Sequence, residues 1–139
     1  MAKIIVVFDS LKGSLSSAQA NAAVAAALRM RYPDAEVVET SMADGGEGTG
    51  EALAPAFDAR RLTIRVDDPL GRPVDACFYV SSDRRTAIID TAAASGLPLI
   101  GPEHRDPMIT STYGTGQMIA AAMGIGCRTI LLGLGGSAS

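Results

Sequence analysis

Residues 3–10, Lys3-Ile4-Ile5-Val6-Val7-Phe8-Asp9-Ser10, decide the fold: a short uninterrupted apolar run, rich in β-branched residues, closed by a polar pair. That pattern is a strand buried on both faces, and such strands belong to parallel sheets. The next segment supplies the crossover a parallel pairing requires. Ser14 or Ser16 can cap a helix that runs through Ala18, Ala22, Ala26 and Leu28 to about Arg31, where Pro33 ends it. Its alanines would let it pack closely on the sheet. Ala35 to Ser41 then reads as a second strand through Val37 and Val38, completing a right-handed β-loop-α-β unit.

Further along, a helix is expected from near Glu47 through Ala52, Leu53 and Ala56, although Gly48, Gly50 and Pro55 all disfavour it. Between Arg61 and Val80 the texture changes to alternation, with Leu62, Ile64 and Val66 on one side of the turn Pro69-Leu70-Gly71-Arg72-Pro73. This predicts an antiparallel hairpin. Thr86 to Asp90 adds a third strand, so residues 60–91 form a β-rich excursion. A short helical piece at Ala92 to Gly96, a polar loop from Pro102 to Tyr113, a helix from about Thr115 to Met123 and a strand at Thr129 to Leu132 complete the chain. The fold class is therefore α/β: an open, largely parallel sheet of Rossmann-like or flavodoxin-like kind, interrupted by an antiparallel hairpin.

The length, 139 residues, suits one domain with one core. Hydrophobic residues make up 47% and charged residues 19%, which is globular composition, and the net charge of −3 comes without any basic block. Binding to nucleic acid or to an anionic membrane is therefore not expected. Cys77 and Cys127 belong to no CxxC pair, so no zinc knuckle or disulfide framework is indicated, and a reducing cytoplasm fits best. One histidine, His104, cannot build a multi-histidine metal site. No apolar run has the length of a signal-peptide core or a membrane span.

Four glycine-containing loops can carry chemistry. In Asp9-Ser10-Leu11-Lys12-Gly13-Ser14, a lysine beside glycine at a helix start can pair with a carboxylate or phosphate, while Asp9 can hold a metal or orient the lysine. The loop is equally readable as a turn and cap, and it is not a Walker A motif. In Met42-Ala43-Asp44-Gly45-Gly46-Glu47-Gly48-Thr49, paired glycines let backbone donors approach a ligand, and Asp44 and Glu47 can meet magnesium or a substrate hydroxyl. The alternative makes Asp44 an N-cap and Glu47 its capping-box partner. The run from Arg105 to Gly116 offers Arg105 as a carboxylate clamp and the hydroxyls of Thr110, Ser111 and Thr112 either as an anion or sugar-acid pocket or as caps. Finally Gly133, Gly135 and Ala138 satisfy GxGxx[GA] after a predicted strand, a weak pointer to a phosphate cradle because no helix and no later acidic residue follow.

Six segments in order resemble the bacterial glycerate kinases that phosphorylate D-glycerate from ATP. They are Asp9-Ser-Leu-Lys-Gly-Ser14, Met42-Ala-Asp-Gly-Gly-Glu-Gly-Thr49, Asp68-Pro-Leu-Gly-Arg-Pro-Val74, Ala94-Ser-Gly-Leu97, Thr112-Tyr-Gly-Thr-Gly116 and Gly135-Gly-Ser-Ala138. Leu11, Asp90-Thr91 and Ser111 depart mildly from the family pattern. The resemblance runs over residues 3–139 and implies that residues 1–139 correspond to the first third of a longer, two-domain enzyme. It implies transfer of the γ-phosphoryl group of ATP to a glycerate hydroxyl with Mg²⁺, and doubtful turnover by this segment alone. It further implies Lys12 and Asp44 as catalytic groups, Asp44 also as a magnesium ligand, and Asp9, Ser10, Ser14, Arg105, Thr112 and Tyr113 around the substrate. Gly45, Gly46, Glu47, Thr49, Gly135, Gly136 and Ser137 would bind nucleotide phosphate. Surface left by the missing portion is expected to drive self-association. The alternative is a non-catalytic nucleotide- or anion-binding Rossmann or flavodoxin-like module.

Overall fold

The computed structural model describes residues 2–11 and 14–139. These form two compact units, residues 1–44 and 45–139, where the length alone had suggested one core. Among the described residues the strands hydrogen-bond into a parallel pair and a four-stranded sheet.

In the first unit, β1 (Lys3–Phe8) runs parallel to β2 (Glu36–Ser41), in register from Lys3 opposite Glu36 to Phe8 opposite Ser41. Helix α1 (Ser17–Arg31) makes the crossover. Of the two candidate caps, Ser16 is the one used. Its hydroxyl accepts from the Gln19 amide while the Gln19 side chain accepts from the Ser16 amide, a complete capping box. Arg29 and Arg31 in the last turn complement the helix dipole.

One expectation fails here. β1 is not buried on both faces: only Val6 is buried, and Ile5 is 60% exposed. Within this unit it has one neighbouring strand and one covering helix, enough to shield one face only. The buried face of α1 is Ala20, Asn21 and Ala25, with Ala18, Ala22 and Ala26 exposed. A helix with seven alanines among fifteen residues has little contrast between its faces, so periodicity cannot select the inner one.

The second unit carries β3 (Arg60–Asp67), β4 (Pro73–Val80), β5 (Thr86–Asp90) and β6 (Thr129–Gly133), in the spatial order β3-β4-β5-β6. The first three are antiparallel neighbours, whereas β5 and β6 are parallel. The hairpin turn is fixed by Asp68, whose buried carboxylate accepts from the Leu70 and Arg72 amides and from the Arg72 guanidinium at 2.7 Å. Three short or crossing helices join the sheet: α2 (Thr49–Leu53), α3 (Ala92–Ser95) and α4 (Tyr113–Ile125).

The core of this unit is Val66, Phe78, Val80, Ala87 and Ile89 on the sheet against Met118 and Ala122 of α4. Phe78 is fully buried, and removing its ring would cost about 3–5 kcal/mol. α4 reaches the sheet this closely because position 114 is glycine. A Cβ there would collide with the Asp67 carbonyl oxygen. Gly114 therefore serves packing. Helix α2 starts at Thr49, later than expected, and its N-cap position is Gly48 at φ 89° with no side-chain cap. Asp44 is therefore not the N-cap of α2. α4 in turn begins two residues earlier than its sequence pattern suggested.

Candidate functional site

Open α/β sheets bind ligands at the carboxyl ends of parallel strands. Both units present such an edge, and each is described by itself.

In the first unit the edge is tied together from inside α1. Asn21 is 2% exposed; its Oδ1 accepts from the Phe8 amide at 2.8 Å and its Nδ2 donates to the Thr40 carbonyl at 3.0 Å. One helix turn earlier, the Ser17 hydroxyl donates to the Phe8 carbonyl at 2.7 Å. Two side chains of one helix thus fix where β1 and β2 end, and with them the loops that follow. Asp9 and Ser10 emerge there exposed, the Ser10 amide donating to the Asp9 carboxylate at 2.7 Å. The Ser14 amide donates to the Leu11 carbonyl at 2.8 Å. Asp44, also exposed, ends the unit. Lys12 lies outside the described residues.

In the second unit β5 and β6 end at Asp90 and Gly133, and two glycine loops meet over them. Their backbones touch: a Cβ on Gly135 would stand 2.6 Å from Gly46 Cα, and one on Gly133 would stand 2.8 Å from the Gly45 carbonyl oxygen. Only glycine permits that approach. The Asp90 carboxylate bridges from the strand end to the first loop, accepting from the Gly50 amide at 2.8 Å and the Gly48 amide at 3.1 Å. Burial pushes this carboxyl above its usual range; the Gly50 and Gly48 amides pull it partway back, and Glu47 and Glu51 add to the rise. The next residue, buried Thr91, donates its hydroxyl to the Gly133 carbonyl at 2.8 Å. The terminal turn is stitched to 95–97 by backbone bonds from Leu97 to Gly136 and from Ala138 to Ser95. Beneath it the Ser95 and Thr115 hydroxyls pair at 2.7 Å.

The structure therefore brings Gly45 and Gly46 against Gly135 and Thr49 against Gly133, whereas Gly136 lies by Ala92 and Leu97 and Ser137 bridges to Gly96. Thr49 is buried, its hydroxyl donating to the Gly46 carbonyl at 2.8 Å, and Glu47 is exposed. The same unit carries Arg105 exposed in a loop pinned by Asp106, and Thr112 and Tyr113 exposed at the start of α4. Thr110 links that loop to the terminal turn, its hydroxyl donating to the Ala138 carbonyl at 2.9 Å. Sequence reasoning missed Asn21, Asp90 and Thr91 as organisers of these edges. A signal existed for Asp90, since it closes an apolar strand as Asp9 does. For Asn21 the only signal was one amide within a run of alanines.

A family model for the glycerate kinase family matches residues 4–139. The chain belongs to the glycerate kinase family. It is 42% identical to a Haemophilus influenzae glycerate kinase and 43% identical to the glycerate 2-kinase of Escherichia coli K12, in each case over 99% of this chain. It also matches a solved Salmonella typhimurium LT2 structure described as a glycerate kinase 2, with TM-score 0.79, 42% identity and 98% of this chain covered. The chain spans 36% of the length of these relatives. As in the solved relative, the architecture is mixed α/β, with parallel strands and an antiparallel sheet. Among the described residues no helix is long and apolar enough to cross a membrane, and no group of three or more His, Cys, Asp or Glu is placed to hold a metal.

Proposed function

We propose that residues 1–139 are the amino-terminal portion of an ATP-dependent glycerate kinase and carry part of its substrate site. Family membership over residues 4–139 is the observation that carries this reading. The two carboxyl edges, each with loops preset by buried polar groups, support it. The reaction forms a bond from a glycerate hydroxyl oxygen to the γ-phosphorus of ATP. It breaks the bridge to the β-phosphate, releases ADP and passes the hydroxyl proton to a base. Catalysis of this kind is positioning plus neutralisation of phosphate charge.

In this reading Asp44 is the candidate base for the hydroxyl and a ligand to Mg²⁺. Magnesium is ordinarily held by one or two carboxylates together with substrate phosphates, so a single carboxylate fits it, and the bound ion would spread phosphate charge. Lys12 supplies a cation for the substrate carboxylate or the transferred phosphoryl group. Asp9, Ser10, Ser14, Arg105, Thr112 and Tyr113 are assigned to glycerate, and the glycine loops around Gly45, Gly46, Glu47, Thr49 and Gly135, Gly136, Ser137 to the nucleotide. The amides of Gly48 and Gly50, already bonded to Asp90, are not part of that cradle. The enzyme works in the cytoplasm, and the isolated segment self-associates through uncovered apolar surface such as Ile5 and Phe8.

The test is glycerate-dependent ADP release by the longer enzyme containing this segment. Asp44→Ala or Lys12→Ala should lower it by roughly 10²-fold or more. Unchanged turnover and unchanged substrate affinity would remove the altered residue from the site. The 139-residue chain alone is expected to release no ADP.

A further inference from the structure

The Asp90 side chain stands at a point in the second unit where a strand end and both glycine loops meet. It accepts two amides of the 45–50 loop, at 2.8 and 3.1 Å, and its Oδ1 is 3.2 Å from where a Gly133 Cβ would lie. Inside the loop the Thr49 hydroxyl donates to the Gly46 carbonyl at 2.8 Å, and Asp90 holds the loop from the strand. Helix α2 is five residues long, its N-cap is a glycine without a side-chain cap, and Gly45 and Gly48 both adopt positive φ. A segment with that much backbone freedom samples many conformations unless something external chooses one. On its outer side the Tyr79 ring closes over Gly50, where a Cβ would come within 2.7 Å of it. No cation forms an ion pair with Asp90 among the described residues. Its two amide bonds therefore carry the specific attraction between the strand and the loop.

We infer that Asp90 is a positioning residue: from the end of β5 it holds the 45–50 loop in the one conformation in which that loop can receive substrate. This rests on the kinase reading for the identity of the substrate, whereas the grip on the loop does not. It is a role for a strand-end carboxylate that contacts the glycine loop from beneath, distinct from the Asp44 role proposed above.

The experiment compares the longer enzyme containing this segment with its Asp90→Asn and Asp90→Glu variants. Amide hydrogen exchange is read at Gly48 and Gly50, with Ala87, Ile88 and Ile89 of β5 as internal reference. Affinity for MgATP and for D-glycerate is measured by calorimetry on the same samples. Asparagine keeps the volume but offers one acceptor oxygen where the carboxylate offers two. Expected for Asp90→Asn is exchange at least about tenfold faster at Gly48 and Gly50, the reference amides unchanged, and several-fold weaker binding of at least one substrate. Glutamate, with both oxygens restored, should recover part of the protection. Unchanged exchange at Gly48 and Gly50 overturns the inference. So does equal loss of protection throughout β5, which makes Asp90 a residue of the fold. Faster loop exchange with unaltered affinity overturns the link to substrate and leaves only the grip. If the unaltered longer enzyme binds neither substrate, the kinase reading fails, and exchange alone then decides the grip.

Discussion

The two carboxyl edges solve one problem with different chemistry. At the end of β1 and β2 the clamp is a neutral amide, Asn21, fully engaged between the Phe8 amide and the Thr40 carbonyl. At the end of β5 and β6 it is an acid, Asp90, half-buried and facing two amides with Glu47 and Glu51 nearby. A buried amide both donates and accepts without a charge to stabilise, and the Asn21 amide nitrogen also reaches the Ser17 hydroxyl at 3.4 Å. A buried carboxylate grips more strongly, because its bonds are charge-assisted, but holding the charge there opposes folding. The first edge is therefore part of what keeps its unit folded. The second trades some fold stability for an ordered loop.

The sharpest way to break that contrast is Asn21→Ala. It leaves the Phe8 amide and the Thr40 carbonyl without their partner, and the first unit should lose about 2–3 kcal/mol, equally from pH 5 to pH 8. Chemical denaturation at several pH values, read at β1 and β2, checks it; a pH-dependent loss would mean that the clamp is not simply a neutral bond network. Next in size is Gly135→Ala. Its Cβ would stand 2.6 Å from Gly46 Cα, so one glycine loop must move off the other at a cost of about 1–3 kcal/mol to the second unit. Thermal melting measures the loss. Thr91→Val, which keeps shape but removes the hydroxyl bond to Gly133, should cost about 1 kcal/mol.

Smallest in stability, and most telling, is the pH response of Asp90→Asn. Because burial raises the Asp90 pKa in the folded state, its contribution to stability is complete below the unfolded value near ~3.9 and is lost as pH rises through the higher folded value. Asparagine removes that loss, so stability near neutral pH should stay within about 1 kcal/mol of the unaltered chain while the descending limb disappears. Other groups facing Asp90, namely Glu47, Glu51 and Tyr79, remain in both proteins and cancel in the comparison. Asp68 provides an opposite sign within the same unit. Burial favours its neutral form, but the Arg72 and Leu70 amides and the Arg72 guanidinium outweigh that and hold its pKa below the usual range. Its contribution is therefore present above the unfolded value and is lost as pH falls through the folded one. A stability profile that rises steadily from acid to neutral in the Asp90→Asn variant fits both assignments.

How far the sequence anticipated these edges follows from which forces are local. Ile4 to Phe8, the Ser16 cap and the Pro69–Pro73 turn are encoded by neighbours within a few residues, and each took the expected form apart from the number of faces covered. The buried face of α1 was not legible, because alanine marks neither inside nor outside. The start of α2 was misplaced for another reason: Asp44 and Glu47 suit a capping box locally, but Asp90, some forty residues away in the chain, takes the amides that follow and moves the helix start to Thr49. At the candidate site, the glycine loops 45–49 and 135–137 were visible as motifs. Their meeting depends on the parallel pairing of β5 with β6, which no single motif contains.

Helix α4 carries three glycines that the sequence does not distinguish, at 114, 116 and 124. Only Gly114 has backbone pressed against it, while the space around Gly116 and Gly124 is open. Gly124 lies near the end of the helix remote from the candidate site, so it serves as an unused setting for protein engineering. Alanine there should raise the melting temperature by helix propensity alone, up to about 0.5–1 kcal/mol, without touching either edge. At position 114, by contrast, a library of substitutions should return only glycine.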